Sequence, residues 1–365
     1  FYPTKEDDEE DNSIIKLSDI KELLVKERGN YYLNIASAAR RQNNIAVSEM
    51  NLRLSYKSKS SFSFPFFLSV VKLSIIKARQ SSSFDKYIKA WEYLEEKKTE
   101  PTICNNIENS QRYCMVQAKI FHELAQLVAS NPSISHDTRL LTFKQTSTPS
   151  AQLFSKAYRT YDKACQIIED HKETTSFSPQ YIAKSKVSFA LFCDTMLQKS
   201  QSSSDKVKKI GEKYAMIVVS NILESMKLGS STARDRFPRL LQLLEDFPST
   251  SLTFEEGVKE IPSWMFIRWI SQLVGVINNQ PESIIPILRR LASDYPQAIY
   301  YPFKITSETL NEKAAEMSND IEKQLYNPLI DEFIEALGKM THPEHRFKDW
   351  AEALKPLVKE KRKKK

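Results

Sequence analysis

Apolar residues recur at helical spacing along most of the chain. The clearest run is 151–168, where Leu153, Phe154, Ala157, Tyr158, Tyr161, Ala164, Cys165 and Ile168 follow the i, i+3, i+4, i+7 rule of one buried helical face. A second stripe joins Tyr113, Val116, Ile120, Phe121, Leu124, Leu127 and Val128, and a third joins Phe266, Trp269, Ile270, Leu273, Val274 and Ile277. Shorter stripes comprise Phe237, Leu240, Leu241 and Leu244, and also Ile330, Phe333, Ile334 and Leu337. No run of strand length alternates with period two and carries β-branched enrichment. The pattern predicts helices throughout.

The breaks between stripes read as helix punctuation. Asn131-Pro132, Ser178-Pro179, Phe247-Pro248, Gln280-Pro281, Tyr295-Pro296 and Asn327-Pro328 each mark an expected boundary. Proline disfavours helical geometry in the residue before it and fits the first turn of the next helix. Pro286 sits inside a helical pattern and is accommodated if Ser283 is the N-cap. Serine-rich stretches at 55–64, 81–83, 142–150 and 200–204 separate helical hairpins of roughly 30–40 residues, the size of tetratricopeptide and HEAT units. No single period fits the whole chain, so the expected fold is all-α, an α-solenoid of degenerate tetratricopeptide/HEAT-like hairpins.

Composition supports helices and removes several chemistries. Only six of 365 residues are glycine, and none belongs to a GxGxxG or GxxxxGK run that could cradle a phosphate. The most apolar stretches, 65–76 and 261–277, are interrupted by Lys72 and Arg268 and fall short of the ~20 residues a membrane span needs. No membrane partner is expected. Cys104, Cys114, Cys165 and Cys193 form no CxxC pair and read as reduced thiols on or near apolar helix faces. The formal charge of +7 is uneven, because residues 1–11 carry a net −5 and residues 359–365 (KEKRKKK) a net +5. That terminal run reads first as a solvated tail, with a nuclear signal or polyanion contact as the sharper alternative.

The residues present no catalytic, cofactor-binding or metal-ligating constellation. His122-Glu123 opens like a zinc-protease helix, but Gln126 stands where the second histidine should be. His342 and His345 are separated by Pro343 and read as a surface turn. Ser200, in an SQSSS loop, is the candidate phosphosite, since Ser-Gln suits one kinase class and phosphate there would charge a connector. Trp264, Phe266 and Trp269 read as a core seam. Arg289-Arg290 and Arg234/Arg236/Arg239 read as solvated helix faces.

Four segments, ARDRFPRLLQLLEDFP (233–248), IPSWMFIRWISQLVGVI (261–277), DYPQAIYYPFKITSE (294–308) and HPEHRFKDWAEAL (342–354), in that order, resemble the FAT region of the phosphatidylinositol-3-kinase-related protein kinases. The combination of YPQAIYYPF with RFPRLLQ and RFKDW points to the branch of that family that acts on broken DNA ends. The resemblance implies an acidic disordered segment at 1–12, tetratricopeptide-like repeats at 13–230, HEAT-like repeats at 231–340, and at 341–365 the start of a rapamycin-binding-like insertion with a basic tail. It also implies a piece of a longer chain, a nuclear serine/threonine kinase that uses ATP and Mg and joins DNA ends with the Ku heterodimer. This segment would clamp the kinase domain of that parent chain and carry no cofactor of its own. An independent helical-repeat adaptor that binds a peptide or polyanion is the alternative reading of the residues.

Overall fold

The computed structural model describes residues 17–58, 63–131, 133, 134, 137, 139, 140, 148–171, 177–199, 205–307, 309–341 and 343–363. Residues 1–12, Ser200 and His342 therefore lie outside the described residues, as do the last two lysines. The chain divides into two compact units, Phe1–Ala233 and Arg234–Lys365. Among the described residues every regular element is helical.

The first unit contains α1 (Leu17–Arg41), α2 (Ile45–Lys57), α3 (Phe64–Gln80), α4 (Phe84–Glu96), the short α5 (Pro101–Cys104), α6 (Ile107–Ser130), α7 (Pro149–Asp170), α8 (Pro179–Lys199) and α9 (Asp205–Lys227). They pack as successive hairpins, α1 with α2, α3 with α4, α6 with α7 and α8 with α9, each against its neighbours in the chain. This is a helical-repeat architecture. Asn44 and Asn106 start α2 and α6 by accepting the Val47 and Asn109 amides at 3.2 and 2.9 Å, which satisfies donors the first turn leaves open. Gly229, at φ +79°, closes α9: its amide donates to the Met226 carbonyl at 2.8 Å, a left-handed cap that glycine adopts without steric cost.

The α7 stripe packs as its spacing requires. Leu153, Ala157, Ala164 and Ile168 are fully buried, while Tyr158 and Cys165 flank them half-buried. Tyr161 lies 5.3 Å from Phe192 of α8, ring centre to ring centre, within the range of favourable aromatic pairs. Cys114 and Cys193 are buried, Cys165 is half-buried and Cys104 is exposed; all four are free thiols.

After the one-turn α10 (Ser231–Arg234), which spans the boundary in the chain, the second unit contains α11 (Phe237–Asp246), α12 (Ser251–Lys259), α13 (Ile270–Gly275), α14 (Pro281–Asp294), α15 (Pro296–Ser307), α16 (Glu312–Leu325), α17 (Pro328–Thr341) and α18 (Pro343–Lys363). Helix α14 is its hub and packs against α12, α13, α15 and α16. Phe237, Phe254 and Phe266 meet in its core, with ring centres 5.2 and 6.1 Å from Phe237.

At four places the molecule departs from the sequence pattern. The third stripe is not one helix: Ser263–Trp269 is 3₁₀, and α13 follows. Phe266 and Trp269, three apart, share a face in either helix type, but of the expected core seam only Phe266 is fully buried: Trp269 is half-buried with its Nε1 donating to the Arg234 carbonyl at 2.8 Å, and Trp264 is exposed. Ser283 is not an N-cap, because α14 begins at Pro281 with Gln280 capping; Pro286 lies within the helix on its exposed side, and the Ser283 hydroxyl instead donates to Glu255 at 3.0 Å. The stripe on α17 is largely uncovered, with Phe333 at 63% and Leu337 at 43% exposure. Arg290 is not on a solvated face: its guanidinium donates to the Val258 carbonyl at 2.8 Å and to Ile261, closing the α12 end with charge-assisted bonds.

Candidate anion-binding site

A cluster of six cations enclosed without acids lies in the first unit. A cavity of about 330 Å³ is lined by Arg40 and Arg41 of α1, Lys72 of α3, Arg112 and Lys119 of α6, and Lys184 of α8. No acidic side chain is among its lining residues. Arg40, Lys72 and Arg112 are half-buried, whereas Arg41, Lys119 and Lys184 stand at the exposed rim. Arg112 and Lys119 are seven apart and so share one face of α6. Lys72 occupies the cavity because α3 is apolar on its remaining sides, with Leu68, Val71, Leu73 and Ile75 all buried around it.

Counter-ions are scarce. Arg112 pairs with Glu108 one turn back, and Arg40 donates to the Ser37 hydroxyl at 3.1 Å. Arg41, Lys72, Lys119 and Lys184 make no ion pair among the described residues. The Nε of Arg112 is buried and finds no hydrogen-bond partner, an orphaned donor beside the cavity. Its guanidinium lies 4.9 Å over the Tyr181 ring, and the Tyr181 hydroxyl donates to Gln111 Oε1 at 2.6 Å. Gln111 in turn donates to the Ala164 carbonyl and the Ser185 hydroxyl, both at 3.2 Å, so the wall behind Arg112 is held by α7 and α8.

The electrostatics follow from this geometry. Burial, together with Arg40, Lys184, Arg112 and Lys119, pushes the Lys72 ammonium down to about 8. Burial and neighbouring cations also lower Lys184 and Arg40, and burial is the chief cause for Lys119. Chemically the arrangement suits negative charge: several donors line a small cavity whose own charges repel one another.

An adjoining cavity of about 590 Å³ shares Lys119, Tyr161 and Ser188 but differs in kind. There Arg79 is neutralised by Glu123, which also accepts from the Tyr87 hydroxyl at 2.8 Å. His122 lies in this wall, edge-on to Phe192 at 4.9 Å and 2.9 Å from the Gln126 side chain. Burial holds it down to about 4, so it is neutral at pH 7. Gln126, where a zinc protease would place its second histidine, is thus the hydrogen-bond partner of the first. Among the described residues no group of three or more His, Cys, Asp or Glu is placed to hold a metal ion. No described helix is long and apolar enough to cross a membrane.

The cavity's six cations were not singled out by motif or by charge density, since they lie scattered over 145 positions. One signal was available: Lys72 is a cation in the middle of an apolar run, a position that needs either a partner or a ligand.

Fold and sequence together define a helical-repeat chain of one family. The FAT domain family matches residues 3–242, and the chain belongs to it. It is similar to DNA-dependent protein kinase catalytic subunits: 33% identical to that of Dictyostelium discoideum over 93% of this chain and 9% of the relative. The subunit of Mus musculus is 31% identical over 57% of this chain and 5% of the relative, and that of Xenopus laevis 26% over 95% and 9%. The chain thus spans less than a tenth of the length of these relatives.

Proposed function

We propose that this chain is a non-catalytic helical scaffold within a nuclear, DNA-dependent serine/threonine kinase. It would clamp the kinase domain of the same parent chain, which binds ATP and Mg, and relay the change that Ku and DNA ends impose during non-homologous end joining of double-strand breaks. The FAT match over 3–242, beside relatives named as such catalytic subunits, is the observation that carries this reading. A stack of hairpins, each buried against its neighbours, bends as a unit and can pass a change of curvature along its length. The isolated chain is expected to be highly helical by circular dichroism and to transfer no phosphate from ATP to peptide or protein. Phosphotransfer above a mock preparation would sink the reading.

The cavity supports a second role, that of an adaptor for a polyanion. Its size suits a compact ligand with several phosphoryl groups and excludes a nucleic-acid duplex. Calorimetry with inorganic tripolyphosphate checks this, with affinity falling as salt screens the contacts. Binding should survive deletion of residues 359–365 and be lost in the K72M/K184M double variant. The opposite pattern would move the site to the terminal basic run.

A further inference from the structure

Resting on the polyanion reading of the cavity, we propose that Lys72 is a covalent modification site, acylated by phosphate-bearing acyl donors that the surrounding cations hold against it. Lys72 of α3 lines the cavity together with Arg40, Arg41, Arg112, Lys119 and Lys184, and makes no ion pair among the described residues. A lysine that reacts at neutral pH needs its amine free of a proton, and neighbouring cations together with partial burial are the established physical means to that end. Here both are present. At pH 7.5 about a quarter of a group titrating near 8 is free amine, against roughly one in a thousand for an ordinary lysine. The other titratable groups facing it are Tyr161 of α7 and Tyr181 of α8, both held protonated by burial, so no base competes with Lys72 for its proton.

The same cations supply the second requirement, a raised local concentration of donor. In an acyl phosphate, the phosphoryl group would sit among Arg40, Arg112 and Lys184 and the acyl carbon beside Lys72. The Lys72 nitrogen attacks the carbonyl carbon and the C–N bond forms. The C–O bond to phosphate breaks and inorganic phosphate leaves with the electron pair (from acetyl-coenzyme A the C–S bond breaks and the thiolate leaves), and the proton on the new ammonium passes to water. The product is a neutral amide. One cation is lost and only a single neutral N–H donor remains, so modification weakens anion binding, and an occupying polyanion protects the amine.

The test treats the whole chain with acetyl phosphate at pH 7.5 and maps acetylated lysines by mass spectrometry over time. Parallel arms use acetyl-coenzyme A, the uncharged ester N-acetoxysuccinimide, and added tripolyphosphate. Lys72 is expected to react at least tenfold faster than the exposed Lys26 and Lys89 with either phosphate-bearing donor, to lose most of that lead with the uncharged ester, and to be protected by tripolyphosphate. Chain acetylated at Lys72 should bind tripolyphosphate about tenfold more weakly. The K72R variant, which keeps a cation, confirms that the fast signal belongs to this position. If tripolyphosphate binds by calorimetry while Lys72 reacts no faster than Lys26, the modification proposal falls and the polyanion reading stands. If tripolyphosphate does not bind, the polyanion reading falls. A Lys72 equally fast with the uncharged ester, or a fast signal at Lys119 or Lys184 instead, overturns the guidance by phosphate.

Discussion

Two regions of the first unit handle buried positive charge in opposite ways. Between α7, α8 and α9, Lys186 is 6% exposed at its side chain and is gripped by Glu169 at 2.6 Å and by Glu224. Burial alone would lower its proton affinity, but the two carboxylates more than offset this and raise it. Two residues earlier on α8, on the other side of the helix, stands Lys184, with Lys72 across the cavity, where no carboxylate answers and both are lowered. The two sites share a helix and a residue type, so the difference lies in the neighbours. A cation enclosed with acids is part of the structure; cations enclosed with one another are held for something else.

The comparison can be broken most forcefully at Lys186. Removing both acids (E169Q/E224Q) strands a buried ammonium and is expected to cost about 3 kcal/mol in urea unfolding at pH 7. Because Lys186 is raised in the folded state, its contribution is full below the ordinary lysine range and fades only at more alkaline pH. Second in size is ligand: tripolyphosphate at a hundredfold over its dissociation constant should stabilise the chain by about 2.7 kcal/mol, read as a rise in Tm that high salt erases. Third, K72M is expected to stabilise the unliganded chain by about 1–2 kcal/mol at pH 7, since it removes a desolvated charge among like charges. The folded state holds the Lys72 proton less tightly than the unfolded one, so the wild type gains stability as pH rises from about 8 towards 10.5. The advantage of K72M should therefore be full below pH 8 and gone near pH 10.5; an advantage unchanged with pH would mean repacking, not charge. Smallest, E108Q frees Arg112 and should tighten tripolyphosphate two- to threefold, in keeping with the modest worth of a partly exposed pair.

Much of the fold is legible in the residues. The stripe at 151–168 and the six Pro-marked boundaries depend on local rules, the helical period and proline stereochemistry, and these act within a few residues. The reading of Ser283 fails to a stronger local signal, while those of Arg290 and the α17 stripe fail because each depends on what comes near in space. Pro281 is the better first-turn residue, Arg290 meets carbonyls 29 to 32 positions earlier, and α17 has a helical apolar pattern whether or not a surface covers it. The cavity is less legible still. Arg40, Lys72, Arg112 and Lys184 come from four helices, each charge unremarkable on its own, and only the stacking of hairpins makes them neighbours. Ser200, the one residue singled out for modification from sequence, lies outside the described residues, and the lysine that the geometry favours was visible only as an interruption in an apolar run.

The same stacking sets when the repulsion is felt. Hairpins such as α6/α7 can form from contacts close in the chain, but the cavity does not exist until α1 and α3 close against α6 and α8. Its electrostatic cost thus enters late on the folding path, after the local contacts that govern the speed of helical proteins. Salt or a bound polyanion should slow unfolding far more than it hastens folding, because interactions absent from the transition state act on the exit from the native state. A stopped-flow chevron with and without tripolyphosphate would show the unfolding limb shift downward while the folding limb stays in place. The cavity then behaves as a latch on the assembled repeat, giving the unit a lifetime that depends on what anions surround it.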